Sequence, residues 1–391
     1  MMILFTVVDW TLFVLLGASV LYLFVYALFS LRHRPAKYPQ AATNRRFAIL
    51  IPAYKGDDVI APTIAAATAQ DYAADRYRVV VIADKFRPES LERLARERIE
   101  LLAVDFEQSS KAKALNHAME RLGSDAADVA VILDVDNLVA PDFLSRLNDA
   151  FDSGVIAVQA HRKARNRDTD TAVLDAVSEE INNSIFRRGH VALGLSSALI
   201  GSGMAFDYGW FRRNVGSLET AGEDKELEIL LLRQGIFIEY LDDVEVLDEK
   251  TRGEANFSRQ RRRWLATQFH SLGASLRDLP DAVLRGNVDY IDKLVQWMMP
   301  PRILLLGLIP LWGLVVLFIA RGAAVKWGVV YLLLLFALAF ATPDYLVDDR
   351  FKRALRRTPK LFVLMVVNLF RLRGAGRTFI HTTHGESPKN E

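Results

Sequence analysis

Two aspartates, Asp134 and Asp136, stand two residues apart at the end of an apolar stretch and could share a divalent cation. Where a strand runs into a turn, this spacing lets both carboxylates reach one ligand. Carboxylate oxygens suit Mg²⁺ or Mn²⁺, and a nucleotide diphosphate would fill the remaining coordination positions. Such a pair is also common as a helix cap, here ahead of Pro141-Asp142. Taken alone, the pair leaves both interpretations open.

A second acidic pair, Glu223 and Asp224, follows Gly222 at the start of the amphipathic stretch 225–233. One interpretation is structural, because acidic side chains in a first helical turn interact favourably with the helix dipole. The other is chemical. Asp224 would take the proton from an acceptor hydroxyl, and Glu223 would hold the Asp224 side chain in position. The pair therefore provides a candidate general base.

The basic run SRQRRRW carries Gln260, Arg263 and Trp264 at i, i+3 and i+4, which is one face of a helix. On this pattern Arg261 and Arg262 point elsewhere. Arginine on the first face would stabilise charge that develops on a departing nucleotide, and the indole would form a platform for the acceptor's sugar ring. As an alternative, the run is a juxtamembrane helix whose guanidinium groups face lipid phosphate.

The composition separates a membrane part from a soluble part, since 51% of the 391 residues are hydrophobic while 25% are charged. After the apolar segments are subtracted, enough sequence remains for one α/β domain with a substantial core. The net charge of +2 gives no support to a nucleic-acid partner. The absence of cysteine excludes disulfides, thiolate metal sites and a cysteine nucleophile.

Short apolar runs, each followed by polar residues, predict buried parallel strands at Phe47–Ile51, Val79–Ala83 and Val129–Leu133. Helix-compatible stretches lie between and beside them, at 60–70, 89–98 and 111–121. This alternation predicts a doubly wound, Rossmann-like α/β domain. In such sheets ligands bind beyond the carboxyl ends of the strands, and Tyr54, Asp84 and the two aspartates of the first pair fall there.

Apolar segments on both sides of this domain predict membrane-spanning helices. The uncharged segment Trp10–Leu31 is long enough to cross a bilayer, and basic residues follow it, so we expect an uncleaved anchor. The segments 303–320 and 329–342, separated by 321–328, predict a helical hairpin. The apolar piece Leu361–Phe370 is short, which favours an interfacial helix or a re-entrant piece over another crossing.

Basic residues indicate the orientation of these helices. Arg32, Arg34 and Lys37 follow the anchor, and the basic stretch 350–357 follows the hairpin. By the positive-inside rule both flanks are cytoplasmic. We therefore expect a multi-pass protein of the cell (inner or plasma) membrane whose catalytic domain is cytoplasmic. Its expected parts are an anchor, an α/β catalytic domain, interfacial helices with the hairpin, and a polar tail, at 1–34, 45–275, 276–372 and 373–391.

The sequence contains seven pieces in a fixed order: ILIPAYKGDD, VVVIAD, SKAKALNHA, VILDVDN, GSGMAF, AGEDKELEILLLRQG and SRQRRRW. In these pieces the chain resembles the family 2 glycosyltransferases, particularly the membrane-integrated branch that includes cellulose, chitin and hyaluronan synthases. The resemblance covers about residues 45–270. It implies a GT-A-like fold and a single displacement with inversion, in which an α-linked UDP-sugar gives a β-linked product.

The resemblance also implies a role for each matching residue. The donor-binding residues would be Ala53, Tyr54, Asp84, Lys111, Asp134, Gln260 and Arg263. The metal would be held by Asp136, and the acceptor would meet Gly201, Ser202, Gly203 and Trp264. Asp224 would be the catalytic base, with Glu223 beside it.

We therefore expect an inverting hexosyltransferase that uses Mg²⁺ or Mn²⁺, with a UDP-sugar, a carbohydrate acceptor and the lipid bilayer as partners. Its product would be a β-linked polysaccharide or oligosaccharide. Transfer of a single hexose to a polyprenyl phosphate lipid is an alternative, as is a catalytically silent nucleotide-binding membrane subunit. Trp264 favours a sugar acceptor, because a lipid phosphate needs cations more than a stacking surface. A homo-oligomer or an export partner stays open.

Overall fold

Within residues 2–220 and 222–370, the part of the chain that the computed structural model describes, eight strands form one mixed sheet. The strands are β1 Phe47–Tyr54, β2 Tyr77–Asp84, β3 Glu100–Val104, β4 Val129–Ile132, β5 Leu138–Val139, β6 Ala157–Ala164, β7 Met204–Asp207 and β8 Ile238–Asp248. Their order in the sheet is β3-β2-β1-β4-β7-β6-β8-β5. The first four positions are parallel to one another, whereas β7 is antiparallel to both β4 and β6.

The helices flank the sheet and extend beyond it. In chain order they are α1 Met2–Ser30, α2 Ile60–Thr68, α3 Pro88–Leu94, α4 Lys111–Leu122, α5 Phe143–Asp152, α6 Asp170–Asn183, α7 His190–Ala192, α8 Tyr208–Val215, α9 Glu223–Arg233, α10 Glu254–Ser275, α11 Leu279–Leu284, α12 Val288–Met298, α13 Arg302–Ile319, α14 Arg321–Ala341, α15 Asp349–Leu355 and α16 Thr358–Phe370. A π-helical turn, Ser184–Gly189, joins α6 to α7.

The strands β1, β2 and β4 are largely apolar because both faces of the sheet are covered by helices. Leu50 and Val80 pack with Leu115 of α4 on one face, whereas their neighbours Ile49 and Val81 belong to the core on the other face. The alternation follows from strand geometry, in which successive side chains point to opposite faces. The predicted α/β fold class is confirmed.

The predicted strands lie within β1 and β2 and along β4. The strand β3 was not predicted, because its side chains are half-buried or exposed and it pairs at the edge of the sheet. The antiparallel β7 was not predicted either. The uniform doubly wound pattern is therefore interrupted at β7, and a second parallel pair, β6 with β8, lies beyond it.

The helices α1, α13 and α14 are long and apolar enough to cross a membrane, with 29, 18 and 21 residues. The prediction of a second hairpin helix beginning at Val329 was wrong, since α14 already begins at Arg321. The charged residue Lys326 in the stretch 321–328 is compatible with this longer helix because it forms an ion pair with α1. Its Nζ lies 2.5 Å from Asp9 Oδ2. The predicted interfacial piece lies in the shorter apolar helix α16, and the predicted polar tail 373–391 lies outside the described residues.

Polar contacts also connect α1 to α12. The Tyr26 hydroxyl donates to Asp292 Oδ1 of α12 at 2.7 Å, and the Tyr22 hydroxyl contacts the same carboxylate. Gly189 of the π-helical turn packs so closely that a Cβ there would lie 2.2 Å from the Tyr26 carbonyl oxygen. Helix α1 is therefore packed against the rest of the fold.

Candidate active site

One cavity of about 990 Å³ opens at the carboxyl ends of β1, β2 and β4. Residues of α6, α9 and α10 form further parts of its wall, and α13, α14 and α16 enclose its far end. Most of the predicted site residues line it: Ala53, Tyr54, Asp84, Lys111, Asp134, Asp136, Gly201, Glu223, Asp224, Gln260, Arg263 and Trp264. Segments far apart in the sequence therefore meet around one space.

The strand ends position the first group of these residues. Ala53 and Tyr54 end β1, and Asp84 ends β2 beside them, in register with Tyr54. The Asp84 carboxylate accepts a hydrogen bond from the Phe106 backbone N–H at 3.2 Å, which fixes its orientation. The two strands are parallel, so their last residues reach the same edge of the sheet.

Lys111, at the start of α4, lies at the centre of an acidic cluster. Its Nζ is 2.5 Å from Asp134 Oδ1, 2.6 Å from the Gly201 carbonyl oxygen and 3.4 Å from Glu223 Oε1. Burial would lower the pKa of the ammonium, but the carboxylates of Asp134, Glu223 and Asp224 raise it above its usual value. One ammonium thus interacts with three carboxylates, which leaves the cluster with an excess of negative charge.

The Glu223 carboxyl is the group most affected by this environment. Burial, together with the charges of Asp224 and Asp134, raises its pKa to about 7, while the charge of Lys111 acts in the opposite direction. Near neutral pH this side chain therefore holds a proton for part of the time. Carboxyl groups whose environments give them different proton affinities are typical of sites that perform acid–base chemistry.

Asp136 lies deeper in the same wall and is buried. Its Oδ2 accepts from the Glu249 backbone N–H at 3.3 Å, and its Oδ1 lies 3.4 Å from Asn137 Nδ2. Asn137 Nδ2 also lies 3.3 Å from Asp248 Oδ1, which is held in turn by Lys250 at 2.8 Å. A buried network of polar groups therefore orients the Asp136 carboxylate from behind.

The carboxylates at the cavity wall fit a divalent cation whose remaining ligands come from the substrate. Among the described residues no cluster of three or more His, Asp or Glu side chains surrounds a common point. Mg²⁺ is, however, commonly held by one or two carboxylates together with substrate phosphates and water. Asp136 and Asp134 supply such carboxylates at the cavity wall, and the excess negative charge around Lys111 favours a cation.

The helix α10 presents Gln260, Arg263 and Trp264 to the cavity, as its periodicity predicts. The expectation that Arg261 points elsewhere was wrong, because it also lines the cavity. Its Nη2 lies 2.7 Å from Asp175 Oδ1, and its guanidinium carbon lies 4.9 Å from the Trp264 ring centroid. The partner of Arg261 is on α6, so helical spacing within α10 could not reveal this placement.

Only the first of the three residues predicted to line the acceptor path reaches the cavity wall. Gly201 has a φ of 89°, and its carbonyl oxygen is the one that accepts from Lys111. Ser202 is fully buried behind it. Gly203 has a φ of 62°, and a Cβ there would lie 2.9 Å from Val246 Cγ2, so β8 packs directly against its backbone. These last two residues shape the wall from behind.

The far end of the cavity was not predicted from the sequence. Most of the side chains that α13, α14 and α16 contribute to its wall are apolar, and the polar ones are Arg302 at the start of α13 and Thr358 and Asn368 of α16. The individual helices could be read from the sequence as membrane or interfacial segments. Nothing in the sequence indicated that they enclose the same space as the acidic cluster.

Comparison with known proteins agrees with this geometry. The model of the "Glycosyltransferase like family 2" matches residues 44–267, which is more than half of the chain, and the protein belongs to this family. No curated protein matches the chain. Among solved structures, it is similar to the mannosyltransferase PcManGT from Pyrobaculum calidifontis in complex with GDP-Man and Mn²⁺, with 18% identity and a TM-score of 0.53. That match covers 85% of this chain and 97% of the other.

A second solved structure is more distant. Glucosyl-3-phosphoglycerate synthase from Mycobacterium tuberculosis, in complex with Mn²⁺, UDP and phosphoglyceric acid, shares 18% identity with a TM-score of 0.44. The match covers 61% of this chain and 84% of that one. At these identities the mannosyltransferase match bears on the fold alone. The family assignment and the site geometry together define a glycosyltransferase.

Proposed function

We propose that this glycosyltransferase is membrane-bound and inverting, and that it moves a hexose or an N-acetylhexosamine from a UDP-sugar to a carbohydrate acceptor. Its product is a β-linked polysaccharide or oligosaccharide. The observation that carries the proposal is the single cavity that brings Asp134, Asp136 and Asp224 together with Arg263 and Trp264. These side chains supply the charges and the stacking surface that the transfer requires.

The donor is bound at the strand ends. Tyr54 and Asp84 contact the nucleoside, and Asp134 fixes the nucleotide while it remains paired with Lys111. Asp136 holds Mg²⁺ or Mn²⁺, which, when bound, offsets the charge of the diphosphate. Lys111 and Arg263 add fixed positive charge, and charge of this kind stabilises the negative charge that develops on the leaving group.

The transfer itself is one displacement. The acceptor hydroxyl oxygen forms a bond to the anomeric carbon from the face opposite the nucleotide, and the bond from that carbon to the diphosphate oxygen breaks. The hydroxyl proton passes to Asp224, and UDP leaves with the bonding electron pair. Glu223, whose pKa is raised to about 7, carries less negative charge beside Asp224 than a fully ionised carboxylate would. Trp264 offers its ring to the sugar of the acceptor.

We place the catalytic portion on the cytoplasmic side of the cell membrane. Arg32 and Arg34 follow α1, and Lys352 and Arg353 lie in α15 after α14. The positive-inside rule assigns both flanks to the cytoplasm. The Arg167 side chain, in the loop before α6, lies 2.5 Å from Asp348 Oδ2, which supports one common side for the α15 flank and the soluble portion.

The proposal is tested with the purified full chain in detergent or nanodiscs. A panel of UDP-glucose, UDP-N-acetylglucosamine and GDP-mannose is supplied with Mg²⁺, with Mn²⁺ or with a chelator, and the product is analysed by mass. We expect UDP release from one of the UDP-sugars, and loss of this release with the chelator. A protein that releases nucleotide from none of these donors would contradict the proposal and favour the silent subunit.

A variant separates catalysis from binding. Asp224→Asn keeps the size of the side chain but removes the base, so we expect turnover to fall by about 10²–10⁴-fold while UDP binding is retained. The control is Asp75→Asn, since Asp75 lies at the surface before β2 with 81% of its side chain exposed. Undiminished turnover in Asp224→Asn would remove the assigned base.

A further inference from the structure

The apolar end of the cavity has no role in the proposed transfer. Its wall includes Leu306 of α13, Leu338 of α14, and Leu361 and Met365 of α16. Such side chains provide no hydrogen bonds to sugar hydroxyls, whereas they match a hydrocarbon chain. Because α13 and α14 are apolar enough to cross a membrane, a bilayer that these helices cross would adjoin this end of the cavity.

A cation lies where the apolar end meets the rest of the cavity. Arg302, the first residue of α13, lines the cavity and donates from Nη2 to the carbonyl oxygen and the hydroxyl of Ser178, at 3.2 and 3.3 Å. Its Nη1 is buried without a hydrogen-bond partner. The acidic charge that acts on it, that of Glu179, is already shared by three other cations, Arg162, Arg187 and Lys250. A buried guanidinium whose charge is only partly compensated is unfavourable, so the position favours an anionic ligand.

A second guanidinium converges on the same place. Arg261 Nη2 lies 3.2 Å from the Ser178 hydroxyl, so this one oxygen contacts both arginines. Asp175 pairs with Arg261 at 2.7 Å, and it is the one carboxylate that pairs with either guanidinium among the described residues. The pair of arginines thus keeps an excess of positive charge. Phosphate oxygens are well suited to accept hydrogen bonds from two guanidinium groups at once.

We propose that the acceptor of this enzyme is carried on a phosphate-bearing lipid. The lipid chain lies in the apolar end of the cavity, the phosphate binds Arg302 and Arg261, and the rest of the head group extends past Trp264 towards Asp224. This inference rests on the proposed function, since it names the acceptor of the same site. A free phosphate would leave the apolar end unfilled, and a neutral lipid would bring no negative charge to Arg302.

The test measures binding of three probes to the full chain in detergent: farnesyl phosphate, farnesol and inorganic phosphate. Farnesyl phosphate combines an apolar chain with a phosphate, and each other probe lacks one of the two. We expect it to bind at least about tenfold more tightly than either, which corresponds to one charge-assisted hydrogen bond. Equal binding of farnesol would overturn the role of the arginines, and equal binding of inorganic phosphate would overturn the lipid.

Two variants with matched controls locate the binding. Arg302→Gln should weaken farnesyl phosphate binding about tenfold, whereas Arg285→Gln, at a side chain with 72% exposure on the surface, should not. Leu338→Trp should block the apolar end, whereas Leu332→Trp changes a residue of the same helix that is 55% exposed and lies outside the cavity wall. Unchanged binding in both cavity variants would refute the assignment.

UDP binding, measured on the same samples, separates this inference from the function on which it rests. A parent protein that binds UDP and releases it from a UDP-sugar, but does not prefer farnesyl phosphate, would overturn the lipid acceptor and leave the transferase in place. A parent protein that binds no UDP would overturn the UDP-sugar donor, and with it the function as proposed above. Arg302→Gln and its control Arg285→Gln should both bind UDP as tightly as the parent. Weaker UDP binding would indicate misfolding rather than loss of a phosphate site.

Discussion

Glu223→Gln should stabilise the protein in alkaline solution, although it alters a residue of the candidate active site. The Glu223 carboxyl is buried, and the Lys111 ammonium interacts with it and also with Asp134 and Asp224. Ionisation of Glu223 therefore adds a negative charge to a cluster that already has more negative than positive charge. Glutamine has nearly the same shape and stays neutral at every pH, so it removes this unfavourable ionisation.

The magnitude and the pH range follow from the two pKa values. In the unfolded chain the carboxyl loses its proton near 4.5, and in the folded protein near 7, because of burial and the neighbouring carboxylates. The stability that this group contributes is therefore fully present below pH 4.5 and is lost as the pH rises through 7. The interval corresponds to about 3 kcal/mol, which the glutamine variant should retain at pH 8.

The assay is unfolding by guanidinium chloride, followed by tryptophan fluorescence in detergent, for parent and variant between pH 5 and pH 8. The free energy of unfolding of the parent should fall relative to that of the variant over this range, with most of the change between pH 5 and pH 7. Glu92→Gln is the control, because Glu92 is an exposed residue of α3. If parent and variant show the same dependence on pH, the folded Glu223 has an ordinary proton affinity and the reasoning is refuted.

Three further changes test other parts of the structure. Asp136→Asn should raise the metal concentration for half-maximal activity by at least about tenfold in a metal titration, and an unchanged titration would remove Asp136 as the ligand. Trp264→Ala should raise the acceptor KM by about 2–10-fold, whereas Trp264→Phe should restore most of it, because an aromatic face suffices. Gly189→Ala should lower the thermal midpoint by an amount equivalent to about 1–3 kcal/mol, since its Cβ would lie 2.2 Å from the Tyr26 carbonyl oxygen. The control Gly273→Ala, where the added Cβ meets nothing within 4 Å, should leave the midpoint unchanged.

The sequence predicted the elements whose environment is uniform along their length. β1, β2 and β4 are covered on both faces, so their residues form continuous apolar runs that a pattern search finds. β3 pairs at an edge and β7 is antiparallel to its neighbours. Pairing of this kind depends on contacts between distant segments and leaves little trace in local periodicity.

The candidate site could be predicted to the extent that strand ends and helix faces determine it. Asp84 and Asp136 follow from the geometry of parallel strands, and Gln260, Arg263 and Trp264 follow from the period of one helix. The placement of Arg261 and Arg302 at the cavity could not be predicted in this way, since it depends on residues of α6 that are far away in the sequence. Only the folded structure brings these guanidinium groups to a common hydroxyl.

The pairing of Asp9 with Lys326 has a consequence for how the protein is made. The two residues are 317 positions apart, and the indole donors to Asp9, on α13 and α14, are also late in the chain. At roughly 5–20 residues per second, the ribosome reaches Lys326 some tens of seconds after Asp9. Until then, the acidic side chain of the first helix lacks the lysine that neutralises it. The packing of α1 against α13 and α14 is thus completed only after Lys326 has been synthesised.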